Sequence, residues 1–126
     1  MVGIVIVSHS EKLAEGVVDV TKIMADGCPI AAAGGLEPGV YGTSFEKIME
    51  AVESVHGEDG TLILMDMGSA VMTTEMVLEM LCYDDVKMVD CPIVEGAIAA
   101  TIAAVGGADL DACYEAAVSA KDMNKL

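Results

Sequence analysis

The 126-residue chain contains no arginine, and it has only six lysines and two histidines against 21 acidic residues. Its formal net charge is −15. Because nucleic-acid binding depends on cationic contacts to phosphate, this composition argues against it. The absence of arginine also removes the planar fork that commonly clamps a phosphate or carboxylate group. A phosphoryl group on this chain would therefore have to be held by backbone N–H groups and hydroxyls.

Aromatic residues and paired cysteines are also scarce. There is no tryptophan, and one phenylalanine with three tyrosines leaves few rings to stack on a flavin. The cysteines, at positions 28, 82, 91 and 113, form no CxxC pair and lie far in sequence from both histidines, so no zinc-site spacing is present. We predict that all of them are small buried side chains in a reducing compartment.

Long hydrophobic runs are missing as well. Although 54% of the residues are hydrophobic, no apolar run approaches the ~20 residues that cross a bilayer. The N-terminal apolar run has no basic segment before it, which argues against a signal peptide. The length suits one domain with one core. We therefore expect a single cytoplasmic domain, residues 1–126, with no role at a membrane.

What the chain does have is an alternation of short β-rich runs with longer helical ones. The predicted strands are 2–7, 30–33, 61–65 and 86–89. Helices are predicted after each strand, with the third over 70–82, the fourth over 94–105 and a last one capped by Asp109. Right-handed crossovers then give an α/β fold with a doubly wound, open parallel sheet in the order 2-1-3-4 and helices on both faces.

Apolar side chains at helical spacing predict which helix faces are buried. For the first helix these are Leu13, Val17, Val20, Ile23 and Met24. For the second, which begins after Thr43 or Ser44, they are Phe45, Ile48, Met49, Val52 and Val55. On the third helix we predict that Met72, Met76 and Met80 belong to the core. His56 ends the second helix, where the helix dipole favours a histidine, so we interpret it as structural.

His9 and Asp66 each follow a strand directly, His9 after the first and Asp66 after the third. In the predicted sheet order these parallel strands are neighbours. The connections run toward one edge of the sheet from the first strand and toward the other edge from the third. Ligands of open α/β sheets bind at such a switch point, beyond the carboxyl ends of the strands. A carboxylate that accepts a hydrogen bond from one imidazole nitrogen makes the other nitrogen the better nucleophile. We therefore predict a reactive histidine at this edge.

Hydroxyls and glycines surround the predicted site. Gly68 and Ser69 begin the third helix and Thr43 precedes the second, so both helix N-termini offer N–H groups to an anion. Taken singly, Asp66, Thr43 and Ser69 read as ordinary helix caps and His9 as a loop histidine, but their convergence on one edge favours a site. Neither a GxGxxG nor a GxxxxGK[ST] motif is present, which argues against a nucleotide.

These segments resemble a known family. Residues 3–10 (GIVIVSHS) and 13–16 (LAEG) are similar to the opening of the mannose-family enzyme IIA phosphocarriers of the sugar phosphotransferase system. The segments 42–44, 64–71, 74–76 and 92–97 are closer to one branch of that family, the phosphotransferase subunits of phosphoenolpyruvate-dependent dihydroxyacetone kinases. The first motif marks only the wider family. The segments specific to the branch are GSAV at 68–71 followed by TEM at 74–76, and VEG at 94–96. Together they extend over essentially the whole chain.

The resemblance implies a phosphorelay with no metal and no separate cofactor. The histidine carrier HPr would donate a phosphoryl group to His9, which would pass it to ADP on a partner subunit, DhaL, and the ATP formed would phosphorylate dihydroxyacetone on DhaK. In this chain His9 would be the phosphorylated nucleophile, Asp66 its orienting partner, and Thr43, Gly68 and Ser69 the phosphate cradle. A homodimer is implied too. Because the sequence ends at Leu126, we expect the phosphoryl group to come from separate proteins.

Three other interpretations compete with this one. A receiver-like domain would be phosphorylated on Asp66, but it needs acidic residues after the first strand to bind Mg²⁺ and a lysine after a later strand, and the sequence has neither. An enzyme IIA of a mannose-type sugar-transport system would share the carrier chemistry and differ only in its acceptor. A non-catalytic module would use the glycine-rich loop 34–42 to bind a small anion. The branch-specific segments favour the kinase role.

Overall fold

Four parallel strands form one sheet in the order β2-β1-β3-β4 in the computed structural model, which describes all 126 residues. The strands are β1 (Gly3–Ser8), β2 (Ile30–Gly34), β3 (Thr61–Met65) and β4 (Val86–Val89). This confirms the predicted α/β class and sheet order, and the bounds of β3 and β4 are those predicted. β1 lies one residue further along than predicted, and β2 ends one residue later.

Five helices connect and follow the strands. They are α1 (Glu11–Met24), α2 (Phe45–Val55), α3 (Gly68–Leu81), α4 (Ile93–Val105) and α5 (Leu110–Ser119), with a short 3₁₀ turn at Ala120–Asp122. The side chains of Ser10, Ser44 and Asp109 cap α1, α2 and α5 by accepting an N–H three residues on. None of the helices combines the length and the apolar composition that a membrane span requires.

Alternating side chains of the central strands pack into two separate hydrophobic layers. Ile4 and Ile6 of β1 point to the layer covered by α1, α4 and α5, whereas Val5 and Val7 point to the layer covered by α2 and α3. All these side chains are fully buried. A strand buried on both faces is expected to read as one continuous apolar run, as β1 does. Because helices cover both faces of the sheet, a site can form only where the strands end.

Register fixes which residues meet at the carboxyl edge of the sheet. Val7 pairs with Met65, so Asp66 emerges beside the end of β1. On the other side Ser8 pairs with Gly34, whose missing side chain lets β2 approach the first turn of α1. A Cβ atom at Gly34 would lie 2.5 Å from the backbone oxygen of Ser10 and 2.8 Å from the Cβ of Ala14. Close packing here therefore holds the turn that carries His9.

Two of the predicted buried faces are wrong. In α1 the residues against the sheet are Ala14, Val17, Val18 and Thr21, while Leu13, Val20, Ile23 and Met24 are exposed. Alanine and threonine contribute little to an apolar pattern, yet their small size lets the helix pack closely on the sheet. In α3 the buried residues are Ala70, Thr74 and Val77 for the same reason, and Met72, Met76 and Met80 lie on the outer surface.

The cysteine prediction needs one correction. Cys28 and Cys113 are buried and Cys91 is partly buried, but Cys82 is exposed at the end of α3. Burial raises the pKa of the Cys28 and Cys91 thiols to about 11. These two thiols therefore stay protonated near neutral pH and contribute as small hydrophobic groups.

His56 has structural contacts, as predicted. It caps α2, its Nδ1 lies 2.9 Å from the Thr61 hydroxyl and its Nε2 lies 3.1 Å from Asp85 Oδ1. The ring also stacks on Tyr83 with centroids 4.1 Å apart. These contacts tie the end of α2 to the starts of β3 and β4, at the edge of the sheet opposite His9.

Candidate functional site

His9 lies between the last residue of β1 and the N-cap of α1. Its carbonyl accepts the N–H of Gly42 at 2.9 Å, a glycine whose φ of +144° disfavours any other residue. The side chain keeps 20% of its surface accessible. The imidazole is therefore fixed at the carboxyl edge of the sheet with one side open to a partner.

Asp66 accepts hydrogen bonds through both carboxylate oxygens. Oδ2 accepts the Ser8 hydroxyl at 2.8 Å and the His9 backbone N–H at 3.0 Å. Oδ1 lies 2.9 Å from His9 Nδ1 and accepts the Met67 N–H at 2.7 Å. Since an ionised carboxylate can only accept, it selects the tautomer in which Nδ1 carries the proton. The free lone pair of the ring is then on Nε2.

The electrostatics of Asp66 support this arrangement. Burial acts to raise its pKa, but hydrogen bonds from the His9 ring, the His9 N–H and the Ser8 hydroxyl outweigh burial, and the pKa lies below its usual value. The carboxylate is thus negatively charged at neutral pH. A negative charge at Nδ1 also stabilises positive charge that develops on the ring when Nε2 forms a bond.

His9 Nε2 faces the hydroxyl of Ser69, with which it makes a short contact. Ser69 is the second residue of α3, a helix whose N-cap, Met67, makes no side-chain capping bond and whose first turn has no acidic residue. The N-terminal N–H groups of such a helix remain available to an anion. Nothing lies within 4 Å of a Cβ built on Gly68, so there is space beside these groups.

The hydroxyls of Thr43 and Thr73 form a pair next to Ser69. Thr43 Oγ1 lies 2.9 Å from Thr73 Oγ1, and the Thr73 hydroxyl also bonds to the Ser69 carbonyl at 3.1 Å. Thr43 therefore contacts α3 one turn after Ser69 rather than the His9 ring, and its part in a phosphate cradle stays a prediction. Thr73 was not among the predicted residues, although its position four residues after Ser69 on one helix face was a usable signal.

The arrangement brings together the other predicted residues. His9, Asp66, Gly68 and Ser69 lie at one edge, where the ring nitrogen, a hydroxyl and an uncapped helix N-terminus converge. Lys47, in the first turn of α2, is engaged elsewhere, with its ammonium 3.4 Å from Glu11 and 3.0 Å from the Gly34 carbonyl. A nucleophilic nitrogen with neutral anion-binding groups beside it suits covalent transfer of a phosphoryl group.

Comparison with known proteins gives a consistent result. A family model described as EIIA-man, phosphotransferase-system fructose IIA component, matches residues 3–118. The phosphoryl donor subunit DhaM of the phosphoenolpyruvate-dependent dihydroxyacetone kinase of Escherichia coli is 45% identical over 88% of this chain. This chain spans only 25% of the length of that relative, and between 25% and 28% of three similar subunits from other bacteria. The DhaM phosphotransferase subunit of Lactococcus lactis is 38% identical, with 90% of each chain aligned.

Solved structures share the fold. A crystal structure of a protein of unknown function matches with a TM-score of 0.82 and 28% identity, covering 94% of this chain and 95% of the other. An EIIA component of the phosphotransferase system from Streptococcus agalactiae matches with a TM-score of 0.71, covering 99% of this chain and 97% of that one. Its 15% identity limits the likeness to the fold.

Proposed function

This chain belongs to the EIIA-man family of phosphotransferase-system IIA components, and from that membership we propose that it is a phosphohistidine carrier serving a dihydroxyacetone kinase. It accepts a phosphoryl group from phospho-HPr on His9 and transfers it to ADP bound on a DhaL subunit. The ATP formed there phosphorylates dihydroxyacetone on DhaK. Several relatives are themselves phosphoryl donor subunits of such kinases, and another is the phosphotransferase subunit of one.

The observation that carries the proposal is the fixed orientation of the His9 ring. With Nδ1 held by Asp66, the Nε2 lone pair attacks the phosphorus of phospho-HPr, and the P–N bond of the donor breaks as the new one forms. The proton stays on Nδ1, and Asp66 stabilises the positive charge that develops on the ring.

The start of α3 receives the phosphoryl oxygens. The Ser69 hydroxyl and the N–H groups of Gly68 and Ser69 donate to them, without a full positive charge nearby. In the second step a β-phosphate oxygen of ADP attacks the phosphorus, the P–N bond breaks and the electron pair returns to Nε2. Neutral donors hold the group long enough for relay without stabilising it as strongly as arginine would.

The test is phosphorylation by the complete relay. The chain and a His9→Ala variant are incubated with phosphoenolpyruvate, enzyme I and HPr, and their intact masses are compared. We expect an acid-labile gain of one phosphoryl group on the wild type alone. No gain on the wild type would reject the carrier role and leave the edge as a plain anion-binding site.

A mannose-type sugar-transport role remains the second candidate, because the matching family model describes a sugar-system IIA component. The two roles share the first step and differ in the acceptor. Adding DhaL with bound ADP to the phosphorylated chain distinguishes them. Loss of the phosphoryl group with formation of ATP supports the kinase role, and retention of the phosphoryl group on His9 contradicts it.

A further inference from the structure

Helix α3 exposes a row of methionines that the fold itself does not use. Met72, Met76 and Met80 recur every four residues and are 69%, 59% and 66% exposed. With Phe45 and Cys82 they form what we call the methionine face. Phe45, Met76, Met80 and Cys82, together with Glu79, line a shallow, largely apolar groove of about 690 Å³. An apolar row of this kind on the surface is typical of an interaction site.

The methionine face begins at the reactive edge. Ser69, which contacts His9, is on the same helix, and at 1.5 Å per residue Met72 lies about 5 Å and Met76 about 10 Å further along. A standard protein interface buries about 800 Å² on each partner, which corresponds to a circle of about 16 Å radius. A circle of that size centred on His9 includes Met72 and Met76, so a protein that brings its own phosphorylated side chain to His9 has both within its reach.

Charge indicates the chemistry of that protein. No lysine occurs between Lys47 and Lys87, while α3 itself carries Glu75 and Glu79, both exposed. Asp84 and Asp85 follow just beyond the helix. The apolar row therefore has an acidic border with no cation of its own. A complementary surface has an apolar centre and a basic rim.

A second copy of the chain fits the methionine face poorly. In a twofold contact each copy presents the same surface to the other. The acidic residues Glu75 and Glu79 of both copies would then be brought into one contact, and α3 supplies no cation to offset the repulsion. A different, basic protein meets neither problem.

We propose that the methionine face is the docking surface for the protein that donates the phosphoryl group to His9, a partner with an apolar patch inside a basic rim. This inference rests on the proposed function and identifies the surface that the first transfer step uses. Methionine suits this role because its unbranched, polarisable side chain adapts to the partner's shape. The acidic border selects the basic rim and speeds the encounter.

The experiment compares two double variants with two phosphoryl donors. Met72→Ser with Met76→Ser removes the centre of the face. Met24→Ser with Met123→Ser is the matched control, since these methionines are 68% and 58% exposed, Met24 at the far end of α1 and Met123 after α5. Each protein is phosphorylated by phospho-HPr and, separately, by phosphoramidate, a small P–N donor with no protein surface. Sedimentation of each variant reports the oligomeric state.

We expect the Met72/Met76 variant to be phosphorylated at least tenfold more slowly by phospho-HPr and at the wild-type rate by phosphoramidate. The control should match the wild type with both donors. An unchanged rate with phospho-HPr overturns the inference, and so does an equal loss with both donors, which would indicate damage to the site. A change of oligomeric state in the Met72/Met76 variant alone would assign the face to a second copy. Failure of wild-type His9 to react with either donor would instead reject the proposed function.

Discussion

Asp66 is the residue on which the orientation of His9 depends. Four donors converge on its two oxygens, namely the Ser8 hydroxyl, the Nδ1–H of His9 and the backbone N–H groups of His9 and Met67. An asparagine at this position would keep one acceptor oxygen. Its NH₂ group would take the place of the other oxygen, where it would face hydrogen-bond donors and could accept nothing from them. The site thus requires a charged carboxylate and not just a side chain of that shape.

We therefore predict that Asp66→Asn slows phosphorylation of His9 by phospho-HPr about 10²-fold or more, within the usual range for proton control by a positioned side chain. The measurement is the rate of phosphoryl uptake, with ¹⁵N NMR of the imidazole as a second readout. The variant should populate the tautomer with the proton on Nε2, which a loss of stability alone would not produce.

The control for this substitution is Asp111→Asn, whose carboxylate is 79% exposed and lies away from His9. It should retain the wild-type rate and tautomer. If Asp66→Asn kept the wild-type rate while the tautomer changed, the orienting role of Asp66 in transfer would be wrong.

The pKa of Asp66 also predicts a pH dependence of stability. Although burial opposes it, hydrogen bonding holds this pKa below its usual value, so the folded state binds fewer protons than the unfolded state in the interval between the two pKa values. The stabilisation is fully present above the unfolded pKa of about 3.9 and is lost as pH falls through the lower, folded value.

The difference in unfolding free energy between wild type and Asp66→Asn should stay constant from pH 7 to about 5 and narrow only at more acidic pH. Urea titrations at each pH measure it, and a difference that already narrows near pH 6 would contradict the prediction.

At the scale of elements, α3 shows what the sequence could and could not predict. The chain pattern placed α3 after β3, and the sheet order brought its first turn beside His9. Its buried face was predicted wrongly because the methionines are larger and more hydrophobic than the residues that are in fact buried, Ala70, Thr74 and Val77. The smaller residues face the sheet because the helix packs close to it, and that distance cannot be read from the sequence. A hydrophobic pattern registers size and polarity, but it does not register how near the neighbouring layer lies.

The contacts within the site show the same division. Residues directly after β1 and β3 had to meet once the strands were neighbours, so proximity of His9 and Asp66 was predictable from topology. The pairing of Thr43 with Thr73 was not, because it depends on the angle between α2 and α3. The order of the strands therefore locates the edge, while helix packing determines which hydroxyls reach the histidine.

The end of α3 carries a conformational cost that a substitution can remove. Cys82 has a φ of +56°, the one positive φ among the non-glycine residues. A side chain in this left-handed conformation is disfavoured, and glycine is the usual residue there. We predict that Cys82→Gly raises the free energy of unfolding by about 1 kcal/mol, measured by urea denaturation. Cys82→Ala is the control and should give no gain, because alanine keeps the Cβ atom. Equal stabilisation by both would indicate that the thiol, not the backbone, is unfavourable.

At the scale of the whole molecule, the charge is strongly negative and unevenly compensated. The net charge of −15 comes from 21 acidic residues against six lysines, and the lysines are unevenly placed along the chain. Those at 121 and 125 lie near the C-terminus, and their ammonium groups pair with Asp90 and Glu95. Helix α3, by contrast, contains no lysine that could compensate Glu75 and Glu79. A basic partner that approaches α3 therefore meets acidic side chains with no cation among them.

This asymmetry predicts how salt affects transfer. Because exposed charges are screened beyond about 10 Å at 0.1 M salt, the rate of phosphorylation by phospho-HPr should fall about tenfold between low and high ionic strength. Glu75→Lys with Glu79→Lys should lower the low-salt rate and flatten the salt dependence.

Asp19→Lys with Glu115→Lys makes the same change in net charge on α1 and α5, the helices on the other face of the sheet, and should leave most of the salt dependence intact. Stopped-flow measurements of association at several salt concentrations test both pairs. Equal effects of the two pairs would mean that net charge alone drives the encounter, and a rate that does not respond to salt would show that steering plays no part in it.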